Sequence, residues 1–272
     1  MMTNLINAHV RWLTAGGQSS TATIDARRDL LERADRALPC GLDEVCQADI
    51  VEWTGSQNWR PTTRFIYDWH LRGYYAQVID AGWLIGENPM TGIPVPRRSK
   101  RRPNPVSDEQ LAAILTTVPD PYYTLALIAA DTGLRTKEIA GLDRDDVTEH
   151  WVIVRHGKGD KDRKAYSTTR VWERVRHFPA GPVAVACGGR DDAGWIRRCA
   201  WKHLSRAAGE NCGLHRLRAW HATAWRRAGA DAYLIRDQLG HASITSTEAY
   251  VDTRDEERLL VGSALPIVRA AR

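Results

Sequence analysis

The sequence has no uninterrupted apolar run approaching the roughly 18 to 20 residues of a membrane-spanning helix. Its opening, MMTNLINAHVRWLTAGG, lacks the apolar stretch of a signal peptide. Together these absences predict a cytosolic, non-membrane protein. Its five cysteines (Cys40, Cys46, Cys187, Cys199 and Cys212) are odd in number and scattered, with no CxxC pair. Neither a disulfide framework nor a zinc knuckle is indicated, and the expected role of these cysteines is that of small buried hydrophobes. There is no GxxxxGK[ST] loop to cradle a nucleotide, no internal repeat and no low-complexity tract. What is present is a globular balance, 43% hydrophobic and 26% charged over 272 residues, enough for one large domain or two ordinary ones.

The net charge of +5 becomes informative through its distribution. Residues 1–96 carry 8 basic and 11 acidic side chains, residues 103–272 carry 25 and 22, and residues 97–102 carry five basic and none acidic. That short segment holds Arg97, Arg98, Lys100, Arg101 and Arg102 between Pro94, Pro96, Pro103 and Pro105. Like charges and prolines oppose a helix and favour an extended connection, either a solvated spacer or a strap along a phosphate backbone. The expected organisation is a domain over 1–96, a basic linker over 97–106 and a second domain over 107–272.

Before the linker, SSTATIDARRDLLERADRAL, DEVCQADIVEWTGSQ and TTRFIYDWHLRGYYAQVIDAGW repeat apolar residues every three or four positions, predicting a helical bundle, with a further short helix around Leu5 to Leu13. After it, Ser107 and Gln110 form a capping-box pattern ahead of an apolar-periodic run, and YYTLALIAADTG is apolar nearly all round, as a core helix would be. WVIVRHGKGDKDRKAYST changes period to two β-rich runs about a glycine-lysine turn, predicting a hairpin, and VAVAC reads as a further short strand. Three amphipathic helices follow, each ending near a glycine. The predicted fold is mainly α, with one small antiparallel sheet in the second domain.

Four segments place a cation, an imidazole or a phenol beside a turn or helix end. In Asp131-Thr132-Gly133-Leu134-Arg135-Thr136, Arg135 follows a glycine turn and Thr136 is a candidate cap, so a guanidinium sits where backbone donors already favour an anion. Lys158 lies between two glycines in the hairpin turn. His215 and Arg218 are three apart and share a helix face. His241 follows Gly240, and Tyr250 lies nine positions on. A continuous helix would put those two on opposite sides, but Gly240 can end one helix and Thr245 to Glu248 can start another. Taken singly, each residue is better explained as a solvated charge, a structural histidine or a packing tyrosine.

Their order is more specific. TGLRTKEIAGL (132–142), RHGKGDKDR (155–163), LHRLRAWHAT (214–223) and LGHASITSTEAY (239–250) together resemble the signature of the tyrosine recombinases, the phage integrase and Xer-like DNA breaking and rejoining enzymes. The resemblance spans roughly residues 103–260. It implies Tyr250 as the nucleophile that forms a 3′-phosphotyrosyl link and releases a 5′-hydroxyl. Arg135 and Arg218 would hold the non-bridging oxygens, with His241 as a further donor. Lys158 would protonate the leaving oxygen and His215 would assist proton transfer. A phenol of pKa about 10 needs a base or a strongly cationic site to attack at neutral pH, and paired guanidiniums can meet the charge that builds on phosphorus. Two departures stand out: Ala219-Trp220-His221 follows Arg218 where the family commonly has His at once, and Lys161 and Lys164 share the hairpin with Lys158.

The resemblance implies a two-domain clamp on double-stranded DNA core sites, with residues 1–96 binding the core site. It also implies a homotetramer exchanging strands through a Holliday junction, no cofactor, no membrane partner, and an accessory directionality factor as a further candidate partner. The tail 258–272 is read either as a cap on its own domain or as a segment docking on a neighbour. The few residues before position 20 leave little room for an arm-site domain, so a simple phage or mobile-element integrase in a bacterial cytoplasm is expected. Competing classes are a type IB topoisomerase, an inactive DNA-binding regulator on the same scaffold, and a metal-dependent nuclease using Asp143, Asp145 and Asp146 or Asp191 and Asp192. Those aspartates read more naturally as turn and cap residues, and His215, His221 and His241 lack zinc-ligand spacing.

Overall fold

The computed structural model describes residues 3–17, 19–96, 103–155 and 162–241. The chain divides into two compact units, residues 1–101 and 102–272. The basic segment 97–102 lies outside the described residues.

The first unit is helical throughout: α1 (Thr3–Ala15), α2 (Thr21–Ala37), α3 (Gln47–Ser56) and α4 (Pro61–Asp80). Local chemistry sets their starts. Ser20 accepts from the Thr23 N–H at the head of α2, and Pro61 occupies the first turn of α4, where a missing N–H costs nothing. The apolar stripes meet in one core of Leu30, Leu31 and Ala34 from α2, Ile50 and Trp53 from α3, and Leu71, Tyr74, Tyr75 and Val78 from α4. The Tyr75 hydroxyl is satisfied by the Leu42 carbonyl at 3.0 Å. Arg64 forks onto the fully buried Asp68 and also donates to the Thr54 carbonyl at 2.9 Å, tying α4 to α3.

The second unit is built around α6 (Tyr122–Thr132), which follows α5 (Asp108–Thr117). All nine residues from Thr124 to Thr132 are buried, as a helix apolar on every side requires. Ser107 and Gln110 form the predicted capping box on α5, with both bonds present. A short helix α7 (Thr136–Ala140) and a 3-10 turn (Arg144–Asp146) lead into an antiparallel pair, β1 (Trp151–Val154) and β2 (Arg163–Tyr166), in register Trp151↔Tyr166 to Val154↔Arg163. Then come α8 (Thr169–Val175), α9 (Val183–Ala186), α10 (Ala193–Ala208), α11 (Leu214–Arg227) and α12 (Ala232–Leu239). Helix α6 packs against α5, α7, α8, α10 and α11. Asp143, Asp192 and Asp231 each accept a backbone N–H at a helix start, as turn and cap residues do.

Two expectations are corrected. VAVAC is not a strand: Pro182 starts a helical turn, closed by Ala186 N–H to Pro182 C=O at 3.0 Å and Cys187 N–H to Val183 C=O at 3.1 Å. The run is too short for periodicity to distinguish the two. Nor are the cysteines uniformly buried: only Cys212 is, Cys187 and Cys199 are half-buried, and Cys40 and Cys46 are exposed. Cys46 stands at the N-cap of α3, where its own N–H donates to Asp49 at 3.1 Å. Among the described residues no helix is long and apolar enough to cross a membrane.

Candidate active site

The site is organised by the C-terminal turn of α12. Gly240 ends that helix at φ +63, the left-handed conformation that favours glycine, and leaves the last carbonyls facing three arginines from different elements. Arg135 Nη2 donates to the Gly240 carbonyl at 2.7 Å. Arg218 Nη2 donates to the Leu239 carbonyl at 2.8 Å, and Arg163 Nη2 reaches the same oxygen at 3.2 Å. Cations at a helix C-terminus are favoured by its partial negative charge.

Each arginine is placed by its own local structure. Gly133 terminates α6 at φ +68, and a Cβ there would lie 2.7 Å from Leu239 and 2.8 Å from His221, so the TGLR turn tolerates no side chain. Arg135 is the N-cap of α7, and Thr136 is its first helical residue rather than its cap. Glu138 caps instead: it accepts the Arg135 N–H at 2.7 Å and Arg135 Nη1 at 2.8 Å. Arg218, on the buried face of α11, is 2% exposed and donates Nη1 to the Gly133 carbonyl, joining the TGLR turn to α12. Glu138 also receives Arg163 at 3.2 Å and has Arg218 at 3.9 Å, so one 7%-exposed carboxylate serves three guanidiniums.

The histidines stand in this cationic field. Burial, then Arg218, Arg135, Arg163 and His215, pull the His241 imidazole down to about 4. His215 sits exposed at the mouth of a pocket of about 490 Å³ that it shares with Thr136, Arg197, Arg198, Trp201 and Leu214. Partial desolvation lowers its pKa, and Arg218 and Arg135 act in the same sense. Both rings are therefore neutral at pH 7 and able to donate one hydrogen bond and accept another.

His221 sits beneath these groups. Its Nδ1 donates to the Ala130 carbonyl at 2.7 Å, and its Nε2 lies 3.2 Å from Gln238 Nε2. Gln238 also donates to the Thr132 and Tyr166 carbonyls, both at 2.9 Å, and accepts the Tyr166 N–H at 2.8 Å. One amide thus locks β2 to α12 and α6.

Arg135, Arg218, His215 and His241 are brought to one region. Lys158 and Tyr250 lie outside the described residues, as do the alternative Lys161 and the linker residues Arg97, Arg98, Lys100, Arg101 and Arg102. A model of the phage integrase family matches residues 197–257. The tyrosine recombinase XerC of Chromohalobacter salexigens is 28% identical over 263 residues, covering 86% of each chain. XerC of Neisseria meningitidis is 28% identical over 275 residues, covering 90% of this chain and 89% of its own.

The chain is similar to the tyrosine recombinases.

A lambda integrase dimer bound to a COC′ core site superposes with a TM-score of 0.76 over 99% of this chain and 80% of that one at 15% identity, a likeness of fold. These relatives are named tyrosine recombinases, which favours neither a topoisomerase nor an inactive regulator. Three site residues were not singled out from sequence. Glu138 stood inside TGLRTKE, three positions beyond Arg135, where an N3 carboxylate is a recognisable cap. Arg163 closed RHGKGDKDR, and Gln238 preceded LGH; neither has a local signal, because their partners come from distant segments.

Proposed function

We propose that this protein is a tyrosine site-specific recombinase that cuts and rejoins double-stranded DNA at short core sites, integrating or excising a phage or other mobile element. Tyr250 attacks the scissile phosphate, forming a 3′-phosphotyrosyl bond as the 5′-oxygen leaves. Arg135 and Arg218 bind the non-bridging oxygens, His241 adds a neutral N–H donor, Lys158 protonates the leaving oxygen, and His215 assists proton transfer at the tyrosine. The phosphodiester energy is kept in the phosphotyrosine, so the 5′-hydroxyl of a partner strand can attack and restore the backbone without a nucleotide.

The observation that carries this reading is the convergence of Arg135 and Arg218 on the two carbonyls just before His241. Two guanidiniums fixed before substrate arrives need little reorganisation when charge builds on phosphorus. Residues 1–96 are proposed to bind the core site, the 97–106 segment to lie along the phosphate backbone, and four copies to assemble on two duplexes in the bacterial cytoplasm. A lambda integrase tetramer bound to a Holliday junction shares the fold, with a TM-score of 0.76 at 15% identity.

The test is to express wild type and Tyr250→Phe in a bacterial host, trap covalent adducts under denaturing conditions and sequence the linked ends. Discrete sites joined through their 3′ ends, absent from the mutant, are expected. Adducts spread without site preference would indicate relaxation rather than recombination, and no adduct at an occupied site would indicate a binding protein.

A further inference from the structure

Arg163 is buried beyond what its hydrogen bonds repay. Its side chain is 16% exposed, yet only Nη2 is partnered, at 3.2 Å from both Glu138 and the Leu239 carbonyl, while Nε and Nη1 are buried without a partner among the described residues. Burial depresses its pKa below the ordinary guanidinium value, with Glu138 opposing and Arg135 adding to the effect. A purely structural position would be filled more cheaply by an apolar side chain of similar volume. The backbone is also shaped around this guanidinium: a Cβ on Gly240 would fall 2.8 Å from Cδ and 2.9 Å from Cζ of Arg163, and nearer still to Nε. Glycine at 240 is therefore required by the close approach of Arg163 as well as by its φ.

Arg163 opens β2 and stands five positions after Lys158 in the sequence. Its contacts reach the peptide that leads directly into His241. Resting on the reading above, we propose that Arg163 is a positioning residue for DNA cleavage: it clamps the end of α12 to the hairpin and to Glu138, so that His241 meets the same phosphate as Arg135 and Arg218. The planar group matters, because Nη2 bridges Glu138 and the Leu239 carbonyl while the Nε edge lies close against Gly240.

Arg218 and His215 from α11, Arg135 at the cap of α7 and Arg163 from β2 all act on His241, and Glu138 pairs with the three arginines. Arg163→Gln removes one positive charge and the fork; Arg163→Lys keeps the charge and removes the fork. Three measurements on the full chain follow: NMR titration of the His241 ring without DNA, affinity for a nicked duplex carrying the site recovered by adduct sequencing, and single-turnover cleavage of that duplex. For Arg163→Gln the His241 titration should move up from about 4, affinity should stay within about 3-fold, and cleavage should slow by about 10- to 100-fold, the scale of loss expected when a reacting group is misplaced. Arg163→Lys should leave the titration low and slow cleavage by at least about 5-fold.

Cleavage by Arg163→Gln within about 2-fold of wild type overturns the proposal, as does slowed cleavage with an unmoved His241 titration. Should Arg163→Gln fail to fold, Arg163→Lys decides, and wild-type cleavage by it overturns the proposal. If wild type itself does not cleave, the recombination reading fails, while the titration still tests the clamp.

Discussion

Arg135 and Arg218 enter the site from different helices and donate to adjacent peptide carbonyls, Gly240 and Leu239, at 2.7 and 2.8 Å. They differ in what else depends on them. Arg218 also satisfies the Gly133 carbonyl and is almost wholly enclosed, whereas Arg135 is 29% exposed. Arg218→Ala should therefore abolish adduct formation and cost about 2 to 4 kcal/mol of stability, because two buried carbonyls lose donors and a cavity opens. Arg135→Ala should slow cleavage by about 100-fold or more while costing about 1 kcal/mol. Denaturant melts beside a trapping assay separate the two, and equal stability losses would count against this division.

Gly240 is under two constraints at once, a left-handed φ and the guanidinium of Arg163 pressed against its α-carbon. Gly240→Ala should cost about 1 to 3 kcal/mol and slow cleavage, since the added methyl must displace either Arg163 or the peptide that carries His241. Gly229, also at positive φ but with open space around it, is the control. Alanine there should incur backbone strain while leaving the cleavage rate of the folded protein unchanged.

Glu138 holds Arg135 by backbone and side chain and faces Arg163 and Arg218. Glu138→Gln keeps the shape and removes the charge. It should destabilise the protein by about 1 to 3 kcal/mol, as three guanidiniums lose their shared carboxylate, and cleavage should fall although Glu138 itself has no assigned contact with DNA. A variant as stable and as active as wild type would show that the carboxylate is dispensable.

Where a signal was local, the sequence carried it. The Ser107–Gln110 capping box, the all-round apolar α6, the antiparallel pairing of β1 with β2 and the glycine ends of α10 and α12 follow from neighbours within a few residues, and all are present. VAVAC misled because four residues cannot display a period, and Pro182 rather than the valines decides its turn. The cysteines misled because composition assigns an average burial while Cys46 was placed by a helix start. Arg163 and Gln238 were illegible for a different reason: each acts on carbonyls tens of residues away, and only the folded chain brings those together. Arg135, Arg218, His215 and His241 were singled out because their order resembles a known signature, not because any one looked unusual.

The buried imidazoles also set a direction for pH. His221 is 3% exposed and is pulled to about 4, chiefly by burial, with its bond to Ala130 and the Asp131 charge opposing and Arg218 adding. In the unfolded chain it titrates near 6.5, so between those values the unfolded state binds more protons than the native one. Its contribution is complete above pH 6.5 and is lost as pH falls towards 4, by roughly 3 kcal/mol at most. His241 and His70, also drawn to about 4, act in the same direction but are less enclosed. Denaturant unfolding from about pH 7.5 down to about 5 should show falling stability, and His221→Gln, whose amide can still donate to the Ala130 carbonyl, should flatten that slope by about one proton. An unchanged slope would mean that His221 takes up its proton equally in the folded and unfolded chain.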